Sequence, residues 1–165
     1  MQLSSSHLSS PSTPWHAYTD GGCRPSNPGP AAWGAVLIEP DGITTHRRRG
    51  FLGHGTNQIA ELSAATHGLR LIPLGAHVTL TSDSQYVLKG ISEWRKGWTA
   101  KGFKTSGGGP VANLDYWKAL WAEVDLRKVT TNWVKGHAGN KYNEEADFLV
   151  GLAQEEALEI AGTAR

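Results

Sequence analysis

The first third of the chain contains three short segments in which aromatic or β-branched residues are mixed with polar ones. These segments lie at 15–19, 31–39 and 43–51, and Pro40-Asp41-Gly42 between the last two is a turn signal. Because such a turn reverses the chain, we expect the third segment to run antiparallel to the second. Three successive strands of this kind predict an antiparallel meander.

The next segment, 57–72, has the periodicity of a helix. Pro73 and Gly75 end it, and its apolar residues recur every three or four positions, at Leu62, Ala65, Leu69 and Ile72. An apolar run at 78–82 follows this helix, and the handedness of crossover connections places that run parallel to an earlier strand. The pattern therefore changes here from a meander to alternating helices and strands.

The rest of the chain continues this alternation. Its expected elements are a short helix from 83, a helix capped by Ser92, a helix at 111–125 after the glycine-rich break at 107–110, a strand at 129–134 and a helix at 140–157. This order predicts an α/β domain with a mixed sheet.

Length and composition fit one domain between two tails. We expect a disordered tail at 1–14, a domain at 15–157 and a C-terminal tail at 158–165, since the serine-rich start lacks the pattern of a secretory signal. The 16 basic and 15 acidic residues nearly balance, so a nucleic-acid partner would need a local patch. Cys23 is the only cysteine, which excludes an internal disulfide and favours a reducing, cytoplasmic setting. No window is apolar enough for a membrane span.

Four acidic residues stand in short phrases that suit a placed carboxylate. The phrases are Tyr-Thr-Asp-Gly-Gly at 18–22, Thr-Asn-Gln-Ile-Ala-Glu-Leu at 56–62, Thr-Ser-Asp-Ser-Gln-Tyr-Val at 81–87 and Asn-Glu-Glu-Ala-Asp at 143–147. The acids themselves are Asp20, Glu61, Asp83 and Asp147. Oxygen ligands of this kind suit hard divalent cations such as Mg²⁺, which in turn suit chemistry on phosphates.

Each acid also has an ordinary structural interpretation. Asp20 and Asp83 follow strands that could end at one sheet edge, but a lone Asp before Gly or Ser is common in turns and caps. Glu61 lies about 60° from the centre of its helix's apolar face, and a surface acid that complements the helix dipole is the alternative. Asp147 lies in the first turns of the last helix, where acids are common.

Together with Asn27-Pro28-Gly29-Pro30 and the phrase Trp-Val-Lys-Gly-His-Ala-Gly at 133–139, these motifs resemble the type 1 ribonuclease H family. The resemblance spans 15–153, and the motifs occur in the family's order. It implies a ribonuclease H-like fold, an α/β fold whose five-stranded mixed β-sheet combines a meander of three strands with two parallel strands, with helices on both faces. It also implies endonucleolytic cleavage of the RNA strand of RNA/DNA hybrids, leaving 3′-hydroxyl and 5′-phosphate ends.

The resemblance assigns the four acids to a complete metal-binding quartet. Two Mg²⁺ ions roughly 4 Å apart would flank the scissile phosphate, one activating a water and the other stabilising the leaving oxygen. We expect Asp20 to bridge them and Mn²⁺ to substitute for Mg²⁺ because of its similar ligand preference. The division of the other three acids between the ions is open.

His137 lies in a glycine-flanked loop before the last helix. The resemblance implies an auxiliary catalytic group that shuttles a proton or aids product release. An ordinary loop histidine is the alternative.

The resemblance also implies a set of substrate-binding residues. Those for the RNA strand, read across the minor groove, are Cys23, Asn27, Asn57, Gln58 and Gln85. Those for the DNA strand and its phosphates are Thr56, Trp94, Trp98, Lys101 and Asn113. Local roles in turns, caps and helix surfaces are the alternatives, and the remaining tryptophans are mostly expected in the core.

Two other functions stay open at this point. One is a non-catalytic module that binds the hybrid, and the other is a different nuclease of the ribonuclease H-like superfamily. The complete set of acids with His137 favours the enzyme, because binding alone does not require an acidic metal site. We expect a monomer without an obligate protein partner.

Overall fold

A five-stranded mixed sheet forms the centre of the computed structural model, which describes residues 13–136 and 138–163. The strands are β1 (Trp15–Cys23), β2 (Gly29–Ile38), β3 (Thr45–Gly55), β4 (His77–Ser82) and β5 (Lys128–Trp133). They lie in the order β3-β2-β1-β4-β5, with β1, β2 and β3 antiparallel and with β4 parallel to both β1 and β5. The meander plus two parallel strands confirms the predicted fold class.

Helices cover both faces of this sheet. They are α1 (Asn57–Arg70), α2 (Gln85–Lys89), α3 (Arg95–Ala100), α4 (Leu114–Asp125) and α5 (Lys141–Thr163), and a π-helical turn at Gly90–Trp94 joins α2 to α3. On one face, α1 packs against β1 and α4 packs against α1. On the other face, α5 crosses β2 and β1.

The larger hydrophobic core lies between the sheet and the α1–α4 face. Leu62, Leu69, Leu80 and Trp117 are completely buried there. Two smaller clusters lie under α5 and contain Ala32, Val36, Ala146, Leu149, Val150 and Ala153. Because α1 and α5 pack on opposite faces, their side chains can approach one edge of the sheet from both sides.

Strand β1 is longer than its sequence pattern indicates. The pattern ends at Thr19, but pairing with β2 continues through Cys23, which lies opposite Ala31. The glycines at 21 and 22 do not break the strand, because their backbone groups stay within the ladder formed with Trp33 and Ala32. Asp20 is therefore held within a strand rather than in a flexible turn.

The expectation that Ser92 caps a helix is wrong. Ser92 lies inside the π-helical turn, and its hydroxyl donates a 2.9 Å hydrogen bond to the Leu88 carbonyl. Serine in a continuing helix commonly bonds back to a carbonyl one turn earlier, so its cap preference does not decide the helix start here.

The last helix also runs further than predicted. α5 continues beyond Ala157 to Thr163, so most of the expected C-terminal tail at 158–165 is helical. Its residues between Ala157 and Ala161 include good helix formers and no proline, which allows the helix to continue. Most of the expected N-terminal tail, 1–12, lies outside the described residues.

Within the two described ranges, no helix combines the length and the apolarity that crossing a membrane requires.

Candidate active site

The parallel pairing of β1 with β4 brings two aspartates to the same region. Tyr18 of β1 lies opposite Thr81 of β4, so Asp20 and Asp83 follow this pair by two residues each. Asp20 is only 7% exposed, whereas Asp83 comes directly after the last residue of β4 and is half-buried. The predicted meeting of both carboxylates at one sheet edge is confirmed.

Helix α1 supplies the third carboxylate. Thr56 caps the helix by accepting a 3.1 Å hydrogen bond from the Ile59 N–H, which fixes the direction of the first turn. The helix lies close to Gly21, where an added Cβ would overlap the Ala60 carbonyl. The Gly21 N–H donates a 2.9 Å hydrogen bond to Oε1 of Glu61. Glu61 is therefore directed at β1 and not at solvent.

The three carboxylates form a compact group. Asp20, Glu61 and Asp83 each offer an oxygen, and these oxygens lie within 4.8 Å of one another. The group contains only hard oxygen donors, which fits Mg²⁺ or Mn²⁺ and does not fit a soft, thiolate-bound metal. The residues present thus suit a divalent cation.

The raised pKa values of two of these acids also favour a cation site. Burial, together with the nearby carboxylates of Glu61, Asp83 and Asp147, raises the pKa of Asp20 to about 10. Burial also raises the pKa of Glu61 to about 7, although hydrogen bonds from Asp20 and Gly21 oppose the increase. Several carboxylates held this close together repel one another when ionised, so bound cations that neutralise them would stabilise the site.

Asp147 approaches the group from α5 but is held differently. It lies within hydrogen-bonding reach of Asp20. Its Oδ1 accepts a 3.0 Å hydrogen bond from the guanidinium of Arg24. Asp147 therefore borders the cluster of Asp20, Glu61 and Asp83 and is engaged in an ion pair.

The loop after β5 borders the cluster on another side. A side chain on Gly136 would begin 2.9 Å from Oδ2 of Asp83, so this backbone lies against the carboxylate. The indole of Trp133 donates a 3.1 Å hydrogen bond to the Asp83 carbonyl. His137 itself lies outside the described residues, and its role stays a prediction.

Three residues assigned to the RNA strand are joined by hydrogen bonds between the end of β1 and the start of α1. The Cys23 N–H donates to Oδ1 of Asn57 at 2.9 Å. The Asn57 N–H in turn donates to Oδ1 of Asn27 at 3.0 Å. Asn27 and Asn57 are exposed, so their local roles leave the amide groups accessible.

A second polar group lies further along the same surface. The amide nitrogen of Asn113 donates to the Tyr86 hydroxyl at 3.1 Å and to Oε1 of Gln58 at 3.4 Å. Asn113 has the left-handed conformation, with φ of 60°, directly before α4. Gln85, at the start of α2, is exposed. Together with Thr56, these residues remain candidates for contacts with substrate.

The tryptophans assigned to the DNA strand belong to an aromatic cluster. The ring of Trp98 lies 5.5 Å from Trp94, 5.5 Å from Trp117 and 6.2 Å from Trp121, measured between centroids. Trp98 is packed against the core, so it has a structural role beside any contact with DNA. Lys101, at the end of α3, is exposed.

Two residues near the acids were not found by sequence reasoning. Arg24 pairs with a carboxylate 123 positions away, and no local pattern signals such a contact. Trp133 was grouped with the core tryptophans, but it is 49% exposed and hydrogen-bonds to Asp83. Its position at the end of β5, beside the carboxyl end of β4, is the signal that would have indicated this.

Comparison with known proteins agrees with this geometry. The family model described as RNase H matches residues 13–155. A curated relative from Hahella chejuensis, named Ribonuclease H, is 47% identical over 145 residues, which cover 88% of this chain and 96% of the relative.

Solved structures share the fold. LC9-RNase H1, described as a type 1 RNase H with the type 2 active-site motif, superposes with a TM-score of 0.75 at 25% identity, covering 92% of this chain and 75% of that chain. LC11-RNase H1, solved in complex with RNA/DNA hybrid, has a TM-score of 0.63 at 23% identity and covers 87% of this chain and 99% of that chain. With the family model matched over nearly all of the described sequence, the chain belongs to the ribonuclease H family, type 1.

Proposed function

We propose that the protein is an endoribonuclease that hydrolyses the RNA strand of RNA/DNA hybrids with two divalent metal ions. The products would carry 3′-hydroxyl and 5′-phosphate ends. The observation that carries the proposal is the convergence of Asp20, Glu61 and Asp83 to within 4.8 Å at one edge of the sheet. Family membership and the solved hybrid complex of a protein with this fold support the choice of substrate.

The protein's own residues have distinct tasks in this proposal. Bound Mg²⁺ would supply Lewis-acid activation of water and stabilisation of the leaving oxygen. Asp20, the most buried of the acids and close to the others, would be the shared ligand. Glu61 is fixed by the Gly21 N–H, which holds its carboxylate beside those of Asp20 and Asp83. Such preorganisation means that the ligands need little rearrangement when the substrate arrives.

Discrimination of the two strands would rest on separate surfaces. The amides of Asn27, Asn57, Gln58 and Gln85 can each donate and accept hydrogen bonds, as 2′-hydroxyl recognition requires. Trp94 and Lys101 lie at the two ends of α3 and suit contact with deoxyribose and phosphate. Thr56 and Asn113 are candidates for a DNA phosphate contact.

His137 would assist proton transfer or product release. The backbone of its neighbour Gly136 lies against Asp83, which supports such a role. General acid–base groups typically contribute about 10²–10⁴ in rate, so His137 would modulate the reaction rather than make it possible.

The class of activity is tested with end-labelled RNA/DNA hybrid, double-stranded RNA and double-stranded DNA, each with and without Mg²⁺. We expect cutting of the RNA strand of the hybrid alone, only with metal, and no cutting by Asp20→Asn. Binding without cutting would favour the non-catalytic module, and cutting of the other duplexes would favour a different nuclease of the superfamily.

We also propose that the protein acts as a monomer in the cytoplasm. The bacterial relatives and the single, half-buried cysteine support this setting. Light scattering coupled to gel filtration tests the oligomeric state, and a mass of twice 17.8 kDa would contradict it.

A further inference from the structure

The ion pair between Arg24 and Asp147 links the loop after β1 to the fourth acid of the site. Arg24 directly follows the last residue of β1, and its guanidinium donates to Oδ1 of Asp147 at 3.0 Å. Asp147 also lies within hydrogen-bonding reach of Asp20. The positive charge is thus only one carboxylate away from the cluster of Asp20, Glu61 and Asp83.

This ion pair is exposed and therefore exchangeable. The side chains of Arg24 and Asp147 are 55% and 34% exposed. Ion pairs in such surroundings contribute about 0–1 kcal/mol to stability, so a divalent cation that binds Asp147 would readily displace the guanidinium. Arg24 would therefore serve as the counter-ion of Asp147 only while no metal ion binds that carboxylate.

The surroundings hold Arg24 close to the site after such a displacement. Its backbone N–H donates to the Pro30 carbonyl at 3.2 Å, which closes the base of the loop. On the same loop, Asn27 is tied to the start of α1 by its hydrogen bond with Asn57. The loop is therefore fixed at two points, and the long, exposed side chain of Arg24 is the part that can move.

A displaced guanidinium beside a nuclease site has an obvious partner. Arginine presents a planar set of donors that matches phosphate oxygens in pairs, more closely than lysine does. Asn27 is a candidate RNA contact only three residues further along the loop. A phosphate of the RNA strand near the cleavage point would thus come within reach of Arg24.

We propose that Arg24 is a substrate-positioning residue that binds an RNA-strand phosphate once a metal ion takes Asp147. In the absence of metal, the same side chain serves as the counter-ion of Asp147. Metal loading and phosphate binding would then be coupled through one arginine. This inference rests on the proposed function and adds to it a residue outside the motifs that identify the family.

Arg47 provides a matched control. It forms an ion pair of similar exposure, 48% and 30%, with Glu145 on the same helix α5. However, Arg47 lies on the edge strand β3, and Glu145 is not one of the four acids. Arg47→Gln therefore removes the same charge and the same kind of ion pair without touching the site.

The experiment measures hybrid binding by fluorescence anisotropy in an Asp83→Asn background, which removes cleavage, with and without Mg²⁺ across a salt series. We expect Arg24→Gln to weaken binding about five- to tenfold with Mg²⁺ and to lower the salt slope by about one, the change for one lost phosphate contact. Without Mg²⁺ we expect no change, and for Arg47→Gln we expect no change in either condition. Arg24→Lys should keep the salt slope but lose part of the affinity.

Metal binding gives a second readout that needs no substrate. By calorimetry with Mn²⁺, Arg24→Gln should bind metal about two- to fivefold more tightly, the equivalent of one exposed ion pair. This gain should vanish in Asp147→Asn. If Arg24→Gln still raises the affinity for Mn²⁺ in the Asp147→Asn background, the gain comes only from removing a positive charge that repels the metal. The proposed exchange of Arg24 for metal at Asp147 would then be wrong.

The outcomes also separate this inference from the proposed function. If the Asp83→Asn parent fails to bind hybrid and the wild-type protein fails to cut it with Mg²⁺, the proposed function is wrong. If the parent binds and Arg24→Gln matches it, or weakens binding equally with and without Mg²⁺, only the role of Arg24 is wrong. Thermal melts of both arginine variants confirm that they are folded.

Discussion

The N–H of Gly21 donates a 2.9 Å hydrogen bond to Oε1 of Glu61, joining strand β1 to helix α1 beside Asp20. The two residues are 40 positions apart, and the contact needs a residue without a side chain at position 21. Helix and strand approach closely enough for two carboxylates to meet only because this position is glycine.

Gly21→Ala is expected to disturb the site directly. A methyl group would overlap the Ala60 carbonyl, so α1 would have to move away from β1. We expect a loss of stability of about 1–3 kcal/mol and at least about a tenfold loss of cleavage rate. Thermal melts and single-turnover cleavage measure the two effects.

Gly22→Ala is the matched control for this substitution. At position 22 the nearest atom to an added Cβ is Oδ1 of Asn57, at 3.8 Å, which is ordinary contact. We expect near-wild-type stability and cleavage. Equal losses in both variants would contradict the role given to Gly21.

The pH dependence of stability should report the crowding of the acids. The pKa of Glu61 is raised from 4.5 to about 7, so its contribution to stability is complete below about pH 4.5 and is lost as pH rises through about 7. Glu61→Gln cannot ionise, so without divalent metal it does not lose this stability as the pH rises. Its melting temperature, compared with that of wild type, should therefore increase by about 5 °C between pH 5 and pH 8. Added Mg²⁺ should reduce the difference. A constant difference across this range would contradict the raised pKa.

Trp98→Ala is expected to act mainly on stability. The Trp98 ring packs against Trp117 and Trp121, so its removal leaves a cavity in the aromatic cluster. We expect a loss of about 2 kcal/mol, measured by urea denaturation. Trp94→Ala should instead weaken hybrid binding more than it lowers stability. The reverse ranking would mean that Trp98 is the main platform for DNA.

His137 and Asp20 should differ in the size of their effects. His137→Ala should keep measurable activity, since a proton-transfer group contributes about 10²–10⁴ in rate. Asp20→Asn should nearly abolish cleavage, because it removes the most buried candidate metal ligand. Single-turnover assays measure both, and equal losses would contradict this division of roles.

Much of the fold could be predicted from local patterns. The turn at 40–42 predicted the meander, and the spacing of Leu62, Ala65 and Leu69 predicted α1. Both predictions succeeded because these signals act within a few residues. Local patterns predicted the ends of the elements less well. Ser92 and the C-terminal end of α5 differ from expectation because the surrounding helix continues past residues that often end or begin one.

The complete site was predictable only with the family resemblance, although the strand pattern alone predicted that Asp20 and Asp83 lie at one sheet edge. Periodicity could place Asp20 after a strand and Glu61 near a buried helix face, but it could not bring them within hydrogen-bonding distance. The pair of Arg24 and Asp147 was not predictable, because a contact over 123 positions depends on how α5 crosses the sheet. Trp133 shows the same limit, since its exposure depends on the position of β5 at the sheet edge.

The most direct test of the account is anomalous diffraction from crystals of the protein grown with Mn²⁺ and a hybrid. We expect a peak among the carboxylates of Asp20, Glu61 and Asp83 and a second peak that shares Asp20. Ordered hybrid in the site with no anomalous peak at these carboxylates would contradict the claim that they hold the catalytic metal.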